Sequence, residues 1–105
     1  MKSTITPATN VLRLSGVFDR SQIPQFHQSI QALINAEAQQ ILLDFQDVIF
    51  MDSSGLGALV GALKAIEAAG SKLLLCSLRS EVRMLLELTD VDQFFEIFPD
   101  QESVA

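Results

Sequence analysis

The chain has 105 residues, the size of one compact domain, and 49% of them are apolar, which is enough for a hydrophobic core. Seven basic and thirteen acidic residues give a net charge of −6, which disfavours binding to nucleic acids and to anionic membrane surfaces. The N-terminus lacks the apolar stretch of a signal peptide, no apolar run is long enough to span a membrane, and Cys76 is the single cysteine. These features predict one soluble cytoplasmic domain that covers residues 1–105.

The predicted elements begin with a hairpin, in which two short strands between residues 5 and 15 flank a turn at residues 7–10. Residues 21–35 are predicted to form a helix, because apolar side chains recur there at intervals of three and four. Three later segments have the apolar or aromatic character of buried strands: "ILLDF" (41–45), "KLLLC" (72–76) and "FFEIF" (94–98).

Helical patterns at residues 54–69 and 80–88 separate these three strands. Strands that alternate with helices pair in parallel through crossover connections. Together with the N-terminal hairpin, this order predicts an α/β fold, in which a single domain contains a mixed sheet flanked by helices.

The helix predicted for residues 54–69 has two unlike faces. One face carries bulky side chains that can pack on the sheet: Leu56, Leu59, Val60, Leu63 and Ile66. The other face is small and nearly bare: Ser54, Gly57, Ala58, Gly61, Ala62, Lys64, Ala65 and Ala68. A glycine in a helix interior costs about 1 kcal/mol of stability relative to alanine, so some contact must offset the cost of Gly57 and Gly61. Periodicity alone favours equally a close contact inside the domain and the close approach of a partner protein.

The stretch "MDSSGLG" places Asp52, Ser53 and Ser54 where this helix begins, and three interpretations compete. The first is a helix cap, since Asp and Ser are favoured there. The second is a phosphorylation site, because a helix N-terminus suits a phosphate, whose charge of about −1.5 to −2 would transform an interface beside it. The third is a nucleophile, but the only histidine, His27, lies in another predicted helix, and a Gly-x-Ser-x-Gly elbow is absent. We therefore predict no catalytic residue.

Other candidate sites are weak, so we predict no metal and no cofactor. Cys76 lies in an apolar strand and is expected to be a core residue. Gly55 and Gly57 lack the remainder of a phosphate-binding loop. Two acidic pairs have neither His or Cys support nor the spacing of a calcium loop, and we interpret them as solvated loop carboxylates: Asp44 with Asp47, and Asp90 with Asp92.

The segment "VIFMDSSGLGALVGALKAIEAAGSKLLLC" resembles the central part of STAS domains, in particular the anti-sigma factor antagonists of bacterial partner-switching systems. "LRLSGVFD" before it and "EVRMLLELTDVDQFFEIFPDQESV" after it extend the resemblance over nearly the whole chain. Asp-Ser-Ser-Gly at a strand-to-helix junction is a specific signal in that family. The chain departs from the family pattern in its short N-terminal strand and at Asp90, where the family often has glycine.

The resemblance implies a protein-binding switch that is not itself an enzyme. It implies that Ser53 is phosphorylated by an anti-sigma factor that is a serine kinase, and that a phosphoserine phosphatase removes the phosphate. The unphosphorylated chain would bind the kinase and so free a sigma factor. The match also implies a set of partner-binding residues: Asp19, Asp52, Ser54, Gly55, Leu56, Gly57, Gly61 and Lys64.

This resemblance favours a partner protein as the reason for the bare helix face. Two alternatives from other classes remain. One is an accessory subunit of a lipid-transport complex that docks on its ATPase through the same face without phosphorylation. The other is a binding module for a nucleotide or an acyl chain.

Overall fold

The structure, a computed structural model, describes residues 9–104. These residues form a sheet of four parallel strands in the order β1-β2-β3-β4, and a helix connects each strand to the next. The strands are β1 (Thr9–Phe18), β2 (Gln40–Met51), β3 (Lys72–Cys76) and β4 (Glu96–Phe98). The helices are α1 (Ile23–Asn35), α2 (Ser53–Ala68) and α3 (Ser80–Leu88). The α/β class predicted from the alternation of strands and helices is confirmed.

The predicted turn at the start of the chain is wrong at Thr9 and Asn10. Both residues belong to β1, where they pair with Gln40 and Ile41 of β2, and β1 continues through Gly16. Strand pairing with a distant segment thus overrides the local turn preference of asparagine. The predicted first arm of the hairpin and the residues of its turn before Thr9 lie outside the described residues.

Two other strands differ from the predicted bounds. β2 extends beyond "ILLDF" to Met51, and it carries the chain directly to the start of α2. β4 is shorter than "FFEIF", because Asp92–Phe94 form a 3-10 turn and the strand begins only at Glu96. The extension of β2 matters most, because it brings "MDSSGLG" to the carboxyl edge of the sheet.

The two faces of the sheet pack differently. Alternate residues of β2 and β3 join the main core together with the helices: Ile41, Leu43, Phe45, Leu73 and Leu75. The intervening Leu42, Leu74 and Cys76 form a smaller cluster with Val104 near the C-terminus. The prediction that Cys76 is a core residue is confirmed, since its side chain is fully buried.

β1 ends in an aromatic cluster centred on Phe18, which is fully buried. Its ring meets Phe26 of α1 edge-on at a centroid distance of 5.0 Å and Phe45 of β2 at 6.5 Å. Such pairs contribute about 0.5–1.5 kcal/mol beyond the burial of their area. The cluster therefore fixes the end of β1 against β2 at the edge where α2 begins.

The turn before β4 contains Asp90, the residue that departs from the family pattern. Its φ of 61° lies in the left-handed region, which favours glycine. Aspartate is one of the few other residues that adopt this conformation at modest cost, so the turn is kept despite the substitution.

Candidate partner-binding site

Asp52 lies between β2 and α2 and caps the helix. Its backbone is extended, and its Oδ1 accepts a hydrogen bond from the Gly55 N–H at 3.0 Å. This bond satisfies one of the N–H groups that the first turn of a helix leaves unpaired. The capping role that the sequence offered to three residues thus belongs to Asp52, and it leaves both serine hydroxyls available.

Ser53 is the first residue of α2 and is exposed, whereas Ser54 is half-buried. Within residues 9–104 neither hydroxyl makes a hydrogen bond to another group. The hydroxyl of Ser53 therefore reaches solvent at the carboxyl edge of the sheet. A reagent or an enzyme can approach it without unfolding any part of the helix.

Gly55 is buried, which corrects its assignment to the partner-binding surface. A Cβ atom built on Gly55 would overlap the carbonyl oxygen of Phe18 and lie 2.9 Å from Cγ of Met51. The backbone N–H of Asp52 donates to the same carbonyl oxygen at 3.4 Å. Gly55 therefore acts inside the domain, where it allows the first turn of α2 to rest on the end of β1.

Asp19, the residue after β1, lies beside the start of α2. Its Oδ1 accepts hydrogen bonds from the hydroxyl of Ser21 at 2.6 Å and from the Ser21 N–H at 3.0 Å. These two bonds hold the pKa of Asp19 below its ordinary value, so the carboxylate is ionised at neutral pH. Asp19 shares one open depression with several other residues: Arg20, Ser21, Pro24, Asp52 and Ser54.

The buried face of α2 is wider than the helical projection predicted. Ala58 and Ala62, assigned to the bare face, are only 7% and 3% exposed and belong to the main core. Leu56 of the predicted partner-binding set is half-buried and packs against that core. Small side chains allow helices to approach closely, so the alanines serve packing within the domain rather than a surface.

Gly57 and Gly61 lie on the exposed side of α2, together with Lys64. A Cβ on either glycine would have no atom of the described residues within 4 Å. Packing inside the described domain therefore gives no reason for glycine at these two positions. We call Ser53, Gly57, Gly61 and Lys64 the α2 surface.

Asp44 corrects one of the minor interpretations, because it is buried in β2 with 1% exposure rather than solvated in a loop. Burial raises its pKa, but hydrogen bonds more than compensate and hold the pKa below its ordinary value. The donors are the Gln46 N–H at 2.9 Å, Nε2 of Gln101 at 2.7 Å and Nη2 of Arg13 at 3.2 Å. Asp44 thus ties the C-terminal segment to the sheet.

Among the described residues, no cluster of three or more His, Cys, Asp and Glu side chains could hold a metal ion. His27 is exposed on α1, and within residues 9–104 no hydrogen bond joins it to Ser53 or Ser54. Across the same part of the chain, no helix has the length and apolar character needed to cross a membrane.

An exposed group of apolar residues at the carboxyl ends of β1 and β2 was not predicted from the sequence. It consists of Val17, Ile49 and Phe50, which are 37%, 56% and 52% exposed, and we call it the β1–β2 apolar patch. Val17 and Phe50 are paired across the two strands, so their side chains are neighbours on the sheet. Apolar residues next to a buried run look like core in a sequence, which is why the exposure was not predicted.

The chain matches the STAS domain family over residues 1–104 and belongs to that family. It is 27% identical over 92 residues to an anti-sigma F factor antagonist of Paenibacillus polymyxa, with 87% of this chain and 79% of that protein covered. It is 30% identical over 84 residues to an anti-sigma-B factor antagonist of Listeria monocytogenes, with 80% and 74% covered.

Solved structures of anti-sigma factor antagonists are also similar to this chain. The anti-sigma factor antagonist SpoIIAA in its unphosphorylated form superposes with a TM-score of 0.77 at 25% identity, over 97% of this chain and 90% of SpoIIAA. The phosphorylated form of the Bacillus protein gives a TM-score of 0.71 at 25% identity, over 97% and 93% of the two chains. The family resemblance predicted from the sequence is confirmed.

Proposed function

We propose that this protein is an anti-sigma factor antagonist that works as a partner switch. In its unphosphorylated form it binds a kinase-type anti-sigma factor and so frees a sigma factor. The kinase then phosphorylates Ser53, which releases the protein, and a phosphoserine phosphatase restores the binding form. The relatives named as anti-sigma factor antagonists, and the existence of a phosphorylated form of SpoIIAA, support this proposal.

The observation that carries the proposal is the exposed, unbonded hydroxyl of Ser53 next to the bare α2 surface. Asp52 already caps the helix, so the Ser53 hydroxyl is not needed for any hydrogen bond within the described residues. Gly57 and Gly61 lie about 6 and 12 Å further along the helix, at a rise of about 1.5 Å per residue. A partner that covers these glycines therefore also reaches Ser53.

In the proposed transfer, Oγ of Ser53 forms a bond to the γ-phosphorus of ATP bound to the kinase. The bond between this phosphorus and its bridging oxygen breaks, ADP leaves, and the hydroxyl proton passes to a base of the kinase. Water later replaces the serine oxygen on phosphorus in the reaction of the phosphatase. All catalytic groups belong to the two partners in this scheme, and the chain itself supplies only the acceptor.

Phosphorylation of Ser53 can lower the affinity for a partner while it leaves the stability of the fold nearly unchanged. The N-terminal end of α2 carries a partial positive charge, which offsets part of the charge of a phosphate. A partner fitted to a hydroxyl must instead accommodate a larger group with a charge of about −1.5 to −2, and must desolvate it beside Asp19 and Asp52. The folded state is therefore kept while the complex is weakened.

The proposal is tested with the purified kinase-type anti-sigma factor encoded in the same genome, with ADP bound to prevent turnover. Isothermal titration calorimetry should give equal affinities for the wild type and Ser53→Ala, and a loss of about tenfold or more for Ser53→Asp. Urea unfolding of Ser53→Asp should differ from the wild type by no more than about 1 kcal/mol, the range of a change at a helix start.

Gln39→Asp provides a matched control, because it adds the same charge at an exposed residue just before β2 begins, at the opposite edge of the sheet. Its affinity should equal that of the wild type. If Ser53→Asp binds as tightly as the wild type, or if both substitutions weaken binding equally, Ser53 does not control the interaction.

A further inference from the structure

Arg20 is a charged residue beside the proposed phosphorylation site, and the proposed function gives it no role. It lies in the short 3-10 turn after β1 and is exposed. It lines the open depression described above, together with Asp52 and Ser54, which are the two neighbours of Ser53 in the chain. Side chains of a helix are tilted towards its N-terminus, so a group attached to Ser53 extends towards the end of α2 that borders this depression.

The guanidinium group of Arg20 is uncommitted, although two carboxylates line the same depression. Among the described residues, no carboxylate oxygen lies within 4 Å of it, and it donates no hydrogen bond. The carboxylates have other donors. Oδ1 of Asp19 accepts from the hydroxyl and the N–H of Ser21, and Oδ1 of Asp52 accepts from the Gly55 N–H. The five N–H donors of the guanidinium therefore remain available for an anion.

The charges around the depression favour Arg20 as the partner of a phosphate on Ser53. Among the described residues that line the depression, Arg20 is the only cation, whereas Asp19 and Asp52 are both acidic. A phosphate adds a charge of about −1.5 to −2, which the two carboxylates repel. Arginine offsets this repulsion best, because its planar guanidinium donates two parallel hydrogen bonds to a phosphate.

We propose that Arg20 binds the phosphate of phosphorylated Ser53 within the same chain. This inference rests on the proposed function and adds a step to its regulation. The ion pair lowers the free energy of the phosphorylated chain when no partner is bound. A kinase that covers Ser53 again has to displace or desolvate this pair, so Arg20 favours the released form of the switch.

The test uses chains into which phosphoserine is inserted at position 53 during translation, so that no kinase is needed. The pKa of the second ionisation of the phosphate is measured from the ³¹P chemical shift as a function of pH. A cation beside the phosphate favours the dianion, so this pKa should be lower with Arg20 present than in Arg20→Gln, by about half a unit to one unit. Arg20→Lys keeps the charge and should restore part of the difference.

Arg83→Gln provides the matched control. Arg83 is an exposed arginine on α3 that does not line the depression, so its removal changes the net charge equally. The phosphate of this variant should titrate with the wild-type pKa. If Arg20→Gln leaves the phosphate pKa unchanged, or if Arg83→Gln raises it by the same amount, Arg20 does not bind the phosphate.

A measurement on the wild type avoids any dependence on how the variants fold. In ¹H–¹⁵N spectra, phosphorylation should move the signal of the Arg20 Nε–H downfield, because this group then donates to a charged oxygen. The Nε–H signal of Arg83 should stay where it is. An Arg20 signal that is the same in the phosphorylated and unphosphorylated chains overturns the inference.

Failure of this inference is distinguishable from failure of the proposed function, because the phosphoserine is placed without the kinase. A phosphate pKa that is independent of Arg20 contradicts the inference alone, and the proposed function stands provided that Ser53→Asp still weakens binding to the kinase. If the phosphate pKa depends on Arg20 but the wild type does not bind the kinase, the contact with the phosphate is confirmed and the proposed function is wrong.

Discussion

Gly55 and the pair Gly57 and Gly61 lie within two turns of one helix, but their surroundings are opposite. A Cβ at Gly55 would overlap the Phe18 carbonyl, whereas a Cβ at Gly57 or Gly61 would have no described atom within 4 Å. The first glycine is required by the fold, and the other two weaken the helix for no gain inside the described domain. Gly55 thus lies in the part of α2 that positions Ser53, whereas Gly57 and Gly61 lie in the part that no described residue covers.

Gly55→Ala should strongly destabilise the fold. The added methyl group has to displace a backbone carbonyl at the end of β1, and overpacking of this kind costs about 3 kcal/mol. The free energy of unfolding, measured in urea, should fall by about this amount. A change below about 1 kcal/mol would mean that the end of β1 yields easily, and that Gly55 does not position the helix.

Substitution of Gly57 or Gly61, in contrast, should stabilise the fold. Gly57→Ala and Gly61→Ala should each raise the free energy of unfolding by about 1 kcal/mol, because alanine is the better helix former and nothing obstructs its methyl group. The same substitutions should weaken binding to the kinase by about tenfold. Each adds a methyl group that protrudes from a helix face that the partner approaches closely. Calorimetry and urea unfolding of the same samples measure both quantities.

Ala68→Gly serves as the control for this pair, since Ala68 is an exposed residue at the end of α2. It should lower stability slightly and leave binding unchanged. If Gly57→Ala and Gly61→Ala stabilise the protein but bind the kinase with wild-type affinity, the α2 surface is not part of the interface.

The elements with strong local signals could be predicted from the sequence. β3 and α3 have the predicted bounds, and α2 is displaced by a single residue, because a dense apolar run and a helical period are local properties. The prediction of a turn at Thr9 and Asn10 is wrong for the opposite reason. Those residues are held in β1 by pairing with β2, a contact that no local pattern contains.

The candidate site was only partly predictable. The sequence identified Ser53 and the open glycines, but it could not distinguish Gly55 from Gly57, since the difference depends on where β1 ends in space. It also assigned Ala62 to the surface, because a helical projection treats a small side chain as exposed when the core in fact needs one. The exposure of Phe50 was hidden because β2 runs past its apolar core segment to the edge of the sheet.

Incubation of the protein with the kinase-type anti-sigma factor and ATP, followed by intact-mass and peptide analysis, shows directly which residue accepts the phosphate. We expect the wild type and Ser54→Ala to gain one phosphoryl group per chain, on Ser53, and Ser53→Ala to gain none. Labelling of Ser53→Ala to the wild-type level, or a phosphate found on Ser54, would contradict the assignment of Ser53 as the switch.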